Sequence, residues 1–291
     1  MLLSPSEQPL VSVLMTSYNR EQCIASSIES VLESTYTNFE FIIVDDCSTD
    51  RSYEIALEYA TKDSRIRVYK NEKNLGDYPN RNVAASYARG KYLKYNDSDE
   101  ELYYFGLQIM VECMEKFPEA ALGFCQIHDE RKHPYFLTPN EAYYRHYLKK
   151  AFFVNAPSSS MIRRAEFEKE GGFNLIRHRG DYDLWLRMGA KYPIVRLPAF
   201  MGWNYHHDGQ ELSLNLLYKK ALTYNISKNA LHNENCPLSK DERRLALRKW
   251  ENGFIRNNVF KNFLSFKFKE AFYLIKECKI KFTNIITALK A

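Results

Sequence analysis

The sequence predicts an α/β fold, a Rossmann-like, mostly parallel sheet flanked by helices, with a helical appendage at the C-terminus. Three observations predict it. Short apolar runs alternate with amphipathic stretches through the first 127 residues, the rhythm of parallel strands joined by helices. Several runs end abruptly in polar clusters, as strands do where an open sheet faces a ligand crevice. Beyond about Leu212 the chain turns basic and helical, without turn-rich strands.

The elements follow in order. Val11 to Thr16 is a first buried strand, and from about Glu21 a helix carries Ile24, Ile28, Val31 and Leu32 on one stripe. Phe39 to Asp45 is a second strand, closed by Asp45-Asp46-Cys47-Ser48-Thr49-Asp50, a cluster able to cap a helix whose face holds Ser52, Ile55, Ala56 and Tyr59. Ile66 to Tyr69 is a third strand, Asn74 to Asp77 a turn, and Pro79 to Ala88 a helix. Lys91 to Tyr95 runs as a fourth strand into Asn96-Asp97-Ser98-Asp99-Glu100. A helix with Leu107, Met110, Val111 and Met114 follows, then a strand over Ala120 to Ile127. There the alternation stops. Residues 128–150, rich in His, Tyr, Pro and charge, read as a mobile or substrate-facing segment. The division expected is 1–212 as the main domain, with halves 1–127 and 128–212, and 213–291 as the helical region.

Composition narrows the function. The chain of 291 residues is 45% hydrophobic and 26% charged, an ordinary globular balance, and its net charge of +5 is too mild to argue for a nucleic-acid partner. Six scattered cysteines form no Cys-x-x-Cys pair and no zinc spacing, so reduced thiols and a cytoplasmic setting are expected. Met1 to Leu10 lacks a secretory apolar core, and no apolar run reaches bilayer length. Attachment to the inner face of the plasma membrane stays open.

Three strands end in chemistry: Thr16-Ser17-Tyr18-Asn19, Asp45-Asp46 and Asp97-Ser98-Asp99. Neither Gly-x-Gly-x-x-Gly nor a Gly-x-x-x-x-Gly-Lys loop is present, so backbone amides are not set up to neutralise a phosphate. Asp97 and Asp99, at i and i+2, can both reach a hard divalent cation that bridges to phosphate oxygens. The plainer alternative is a solvated acidic turn. A helix-loop-helix calcium site is excluded, because Leu102 stands where it needs Gly and Gln108 where it needs Glu.

The ordered set Val11 to Asn19, Phe41 to Asp50, Asn80-Arg81-Asn82, Gly90-Lys91-Tyr92, Asp97-Ser98-Asp99, Met161 to Arg164, Gly171-Gly172-Phe173 and Gly180 to Arg187 resembles the family 2 glycosyltransferases. The resemblance covers most of residues 10–190. It implies the glycosyltransferase A-type fold and an inverting, metal-dependent transfer from a nucleotide-diphospho-sugar, with UDP as the expected nucleotide, to a glycan or lipid-linked glycan hydroxyl. Thr16, Tyr18 and Asn19 would border the nucleotide, with Tyr18 offering a ring face. Asp46 would accept from the uracil imide while its neighbour Asp45 caps the next helix. Arg81 would grip the diphosphate or be a solvated helix-face arginine. Asp97 would lie near ribose and metal, and Asp99 would hold the cation, Mn2+ or Mg2+. Asp181 would be the catalytic base, or an N-cap, or both, and His207 or His206 a further metal or phosphate ligand. Many relatives carry Asp-Asp where this chain has Asp99-Glu100, but the metal-facing Asp is kept.

Two alternatives remain at this point. A nucleotidyltransferase would share the scaffold, but Thr16 to Arg20 does not match its glycine-rich loop. A non-catalytic sugar-nucleotide-binding paralogue is opposed by the joint presence of Asp97, Asp99 and Asp181. From Gly253 onward, Phe254, Phe260, Phe263, Phe266, Phe268 and Phe272 mix with lysines. Such a tail either packs on the main domain or a second subunit, the favoured reading, or makes peripheral contact with a membrane.

Overall fold

Each apolar run finds its place in a sheet in the computed structural model, which describes residues 8–125, 134–199, 201–204 and 216–290. The first half is β1 (Val11–Ser17), α1 (Ile24–Leu32), β2 (Phe39–Asp45), α2 (Ser52–Ala60), β3 (Ile66–Lys70), α3 (Asp77–Ser86), β4 (Tyr92–Tyr95), β5 (Glu100–Leu102), α4 (Gly106–Glu115) and β6 (Leu122–Cys125). β1 and β2 are apolar on both faces because helices cover both sides, as in parallel sheets generally.

The second half is β7 (Tyr135–Leu137), α5 (Pro139–Tyr144), a π-helical turn at Arg145–Lys149, β8 (Ser160–Arg163), α6 (Arg164–Lys169), α7 (Gly180–Lys191), β9 (Ile194–Leu197) and β10 (Gly202–Asn204). The eight-stranded order is β3-β2-β1-β4-β8-β6-β9-β7, with β5 and β10 forming a separate antiparallel ribbon. β3, β2, β1 and β4 run parallel. β8 enters antiparallel between β4 and β6, and β7 lies antiparallel on β9 at the edge. The chain builds outward from β1 to β3 and then returns to lay β4 on β1's other flank. That reversal opens a crevice at the carboxyl ends of β1 and β4.

The helix expected over Pro79 to Ala88 begins two residues earlier. Gly76, at φ 87°, supplies the left-handed residue that lets the chain turn straight into Asp77. The segment expected to be mobile or substrate-facing is instead ordered and packed over residues 134–150. Thr138 and Glu141 form a reciprocal capping box at the start of α5. Tyr143, His146 and Tyr147 are buried against Phe153 and Tyr182. Those three rings belong to the core, while Tyr135, Phe136 and Tyr144 are half-buried.

The tail is α8 (Leu216–His232), α9 (Lys240–Phe254), a π-helical stretch at Ile255–Phe260, α10 (Lys261–Leu264), α11 (Phe268–Glu277) and α12 (Phe282–Lys290). α8 and α9 give Ile226, Leu231 and Ala246 to the core that holds α7. Ala221 and Tyr224 on α8 also join Phe254, Ile255, Val259, Leu274 and Cys278 in a separate apolar cluster. The tail therefore packs, although several of its aromatic side chains remain exposed. Among the described residues no helix is long and apolar enough to cross a membrane.

Candidate active site

The strand ends converge at the crevice. Thr16 and Ser17 close β1, and Tyr18 stands just beyond it, 45% exposed, so its ring face is open to a planar partner. Asn19 adopts φ 53°, a left-handed conformation that asparagine tolerates, and its Oδ1 accepts from the Thr49 amide at 2.9 Å. The ends of β1 and β2 are thereby stitched together.

Asp45 and Asp46 divide their labour in a way the sequence did not show. Asp45 holds the turn after β2, accepting from the Ser48 amide at 2.8 Å and its hydroxyl at 2.5 Å. The amide at the start of α2 is instead met by Asp50, through Ser52 N at 2.9 Å. Asp46 is buried and accepts three bonds of 2.8 Å, from Asn71 Nδ2 and the amides of Leu75 and Gly76. It anchors the 71–76 loop that leads into α3.

Arg81, on α3, is the hub of the acidic side. Its Nε donates to Asp77 at 2.6 Å and its Nη1 to Asp97 at 2.7 Å, with the guanidinium over the Tyr95 ring. Burial opposes its charge, but Asp77 and Asp97 together push its pKa well above the ordinary value. Arg81 is thus neither solvated nor aimed solely at a ligand; it sets the orientation of Asp97. Asp99 lies 3.5 Å from Arg20 Nε. Glu100 points the other way, accepting from Ser158 Oγ at 3.0 Å. Burial, then the charges of Asp97 and Asp99, raise its pKa to about 7. Beside it the buried Lys94 ammonium donates to the carbonyls of Tyr95 and Ser158, both at 2.5 Å.

These carboxylates suit a hard divalent cation. Asp97 and Asp99 keep 23% and 16% of their side chains open to solvent, and the crowding felt at Glu100 is negative charge that a cation would offset. No group of three His, Cys, Asp or Glu ligands is assembled among the described residues. A bound ion would therefore complete its shell with phosphate oxygens and water. His206 and His207, the other candidates, lie outside the described residues.

Asp181 stands in the first turn of α7. Its Oδ1 accepts from the Tyr182 amide at 2.7 Å. Burial raises its pKa, held back by that amide and by a hydrogen bond from Tyr78. Gly180 matters for space. A Cβ there would come within 2.7 Å of the Tyr78 ring and 2.9 Å of the Asn174 carbonyl. Asp183 faces elsewhere, accepting from Asn174 at 2.7 Å and Arg187 at 2.8 Å.

Three residues of this site escaped sequence reading: Arg20, Asp77 and Tyr78. The Asp77–Arg81 pair was visible as an i, i+4 contact on one helix. The others depend on chain segments brought together only by the fold.

The mixed sheet, whose chain reversal gathers an acidic cluster at its strand ends, is that of the glycosyltransferase A-type fold. The profile described as Glycosyl transferase family 2 matches residues 12–171, and the chain belongs to that family. An uncharacterized glycosyltransferase of Methanocaldococcus jannaschii is 34% identical over 209 residues, 67% of this chain and 70% of the relative. The UDP-Glc:alpha-D-GlcNAc-diphosphoundecaprenol beta-1,3-glucosyltransferase WfaP of Escherichia coli is 32% identical over 185 residues, 62% of this chain and 71% of the relative. Other relatives match over less of their length, the putative teichuronic acid biosynthesis glycosyltransferase TuaG of Bacillus subtilis over 37% at 43% identity. The fold is shared with S. aureus TarS 1-349 in complex with UDP-GlcNAc, at TM-score 0.68 and 19% identity, covering 96% of this chain and 79% of that one. It is shared also with a mannosyltransferase from Pyrobaculum calidifontis in complex with GDP-Man and Mn2+, at TM-score 0.65 and 13% identity, covering 99% and 80%. Family membership disposes of the nucleotidyltransferase reading.

Proposed function

We propose that this glycosyltransferase moves a sugar from a UDP-sugar, with inversion and with the help of a divalent cation, to a hydroxyl of a lipid-carried glycan in bacterial polysaccharide synthesis. The observation that carries the reading is the first turn of α3. Asp77 pairs with Arg81, and Arg81 with Asp97, while the ring of the adjacent Tyr78 packs on Gly180, the residue before Asp181. One helical turn thus ties the leaving-group side of the site to the base. The UDP-sugar and lipid-linked acceptor are supported by the names of the Escherichia coli relative and the S. aureus structure.

In this reading Tyr18 and Thr16 border the base, with Asn19 holding their strand end in place. Asp46 carries the 71–76 loop beneath it and has room for about one further donor, since a carboxylate offers roughly four acceptor positions. Asp97, steadied by Arg81, faces the ribose. Asp99 and Asp97 would hold a divalent cation, which would supply positive charge beside the donor's phosphates. Asp181 takes the acceptor hydroxyl's proton as that oxygen bonds to the anomeric carbon. The bond from carbon to phosphate oxygen breaks, and its electron pair leaves on UDP. A carboxylate buried as Asp181 is makes a stronger base than an exposed aspartate.

Calorimetry with UDP and GDP, with and without manganese, tests the donor half. UDP is expected to bind, more tightly with manganese, and GDP to bind weakly. A screen of UDP-sugars for slow hydrolysis with manganese present then identifies the sugar. Absent UDP binding, or binding indifferent to manganese, removes the proposal.

A further inference from the structure

The tail packs through only part of its apolar surface. α10 ends in a Schellman motif: Phe266 N bonds the Phe263 carbonyl at 3.1 Å, and Lys267 N the Asn262 carbonyl at 2.8 Å. The residue just past the helix in this motif takes a left-handed conformation and is usually glycine. Here it is Phe266, at φ 58° and 82% exposed. A phenylalanine in that conformation is strained, and so exposed a ring regains little from the fold. Leu264 beside it is 82% exposed, and Phe268 and Phe272, one turn apart on α11, are 49% and 62% exposed. Ring contacts of Phe266 with Phe268, and of Phe263 with both Phe268 and Phe272, join these side chains into one patch.

Charge selects the partner. Lys261, Lys267 and Lys269, next to these rings along the chain, are all exposed, against Glu270 alone. A second copy meeting the same patch about a two-fold axis would set lysines against lysines. An anionic lipid surface would accept both the rings and the charge. We infer that the α10–α11 hairpin tip is an interfacial anchor that seats this enzyme on an anionic phospholipid bilayer. The anchor deepens the proposed lipid-carried acceptor, but it is tested without any transfer.

Flotation of the full chain with phosphatidylcholine vesicles, with and without phosphatidylglycerol, reads it out. Binding is expected only with phosphatidylglycerol, weakening as salt rises. Phe266→Gly should weaken it about tenfold or more, the loss expected for one buried aromatic ring. The same variant should melt no lower than wild type, because glycine suits the conformation, and should hydrolyse donor as before. Loss of binding by Phe272→Ser supports the patch independently. The anchor is overturned if wild type ignores phosphatidylglycerol vesicles or if Phe266→Gly binds as wild type does. Conversion of a wild-type dimer to monomer by Phe266→Gly in sedimentation velocity also overturns it, in favour of a second copy. Failure of donor hydrolysis in wild type would count against the reaction and leave the vesicle result standing.

Discussion

Asp181 is one carboxylate asked to do two things. It accepts from the Tyr182 amide within the first turn of α7, where Arg179 and not Asp181 is the N-cap, and in the proposed reaction it accepts a proton. Asp181→Asn keeps the shape and an acceptor for that amide while removing the base. UDP affinity is expected to stay within about twofold, and turnover to fall by roughly 10²–10⁴, the usual worth of a positioned general base. Single-turnover kinetics beside calorimetry check it, and wild-type turnover in the variant would strip Asp181 of its role. The pH dependence has a fixed sign. The base works deprotonated and burial raises its pKa. Activity should therefore fall on acidification at a pH above the ordinary aspartate value, and that limb should be missing from the residual activity of Asp181→Asn.

At the scale of elements, motif residues that look chemical turn out to fasten segments together. Asn82 exchanges two hydrogen bonds with the Phe173 backbone, at 2.8 and 2.9 Å. Arg187 reaches back from α7 to the carbonyls of Glu170 at 2.6 Å and Gly172 at 2.7 Å. α3, the Gly171-Gly172 turn and α7 are thus clamped side by side, which is how Tyr78 meets Asp181. Gly180→Ala probes the clamp. Its methyl would meet the Tyr78 ring and the Asn174 carbonyl, an overpacking worth about 1–3 kcal/mol. The melting temperature should drop, and turnover should drop further than UDP affinity because Tyr78 is displaced from the base. Calorimetric melting and kinetics on one preparation test this; an unchanged melting temperature would mean the close approach is easily relieved.

The first four strands were legible because each is a local apolar run bounded by polar turns, and their order is what a parallel, helix-linked chain adopts. β5, β7 and β10 have three residues each, too few to show a period, and their pairing is set by distant partners. The acidic cluster was legible as chemistry but not as geometry. Asp97's orientation depends on Arg81 sixteen residues earlier, and Asp46's bonds go to a loop 25–30 residues on. His146 shows the opposite error. It lay in a stretch read as substrate-facing, yet it is a core residue because Phe152, Phe153 and Tyr182 close over it.

That histidine also binds the molecule together. Its Nδ1 accepts from the amides of Phe152 and Phe153 at 2.9 and 3.2 Å, which puts the proton on Nε2, facing the Tyr182 hydroxyl at 2.8 Å. Tyr182 in turn meets Ser227 Oγ at 2.5 Å. The π-helical turn after α5, the helix carrying Asp181 and the tail helix α8 share this one chain of bonds, and Arg179 Nε adds a second tie to α8 at Thr223, 2.7 Å away. Burial holds His146 neutral, its pKa lowered from 6.5 to about 3. The folded value is the depressed one, so this group's contribution to stability is complete above about pH 6.5. It is lost as pH falls toward 3, where the unfolded chain binds a proton that the folded chain refuses. Within that window the loss approaches 1.4 kcal/mol per pH unit. His146→Asn retains an acceptor for the two amides but does not titrate. It is expected to be less stable than wild type at pH 7, and the gap should narrow steadily toward pH 4. Urea unfolding of both proteins at several pH values decides it, and parallel curves would mean that His146 is not held neutral in the folded chain.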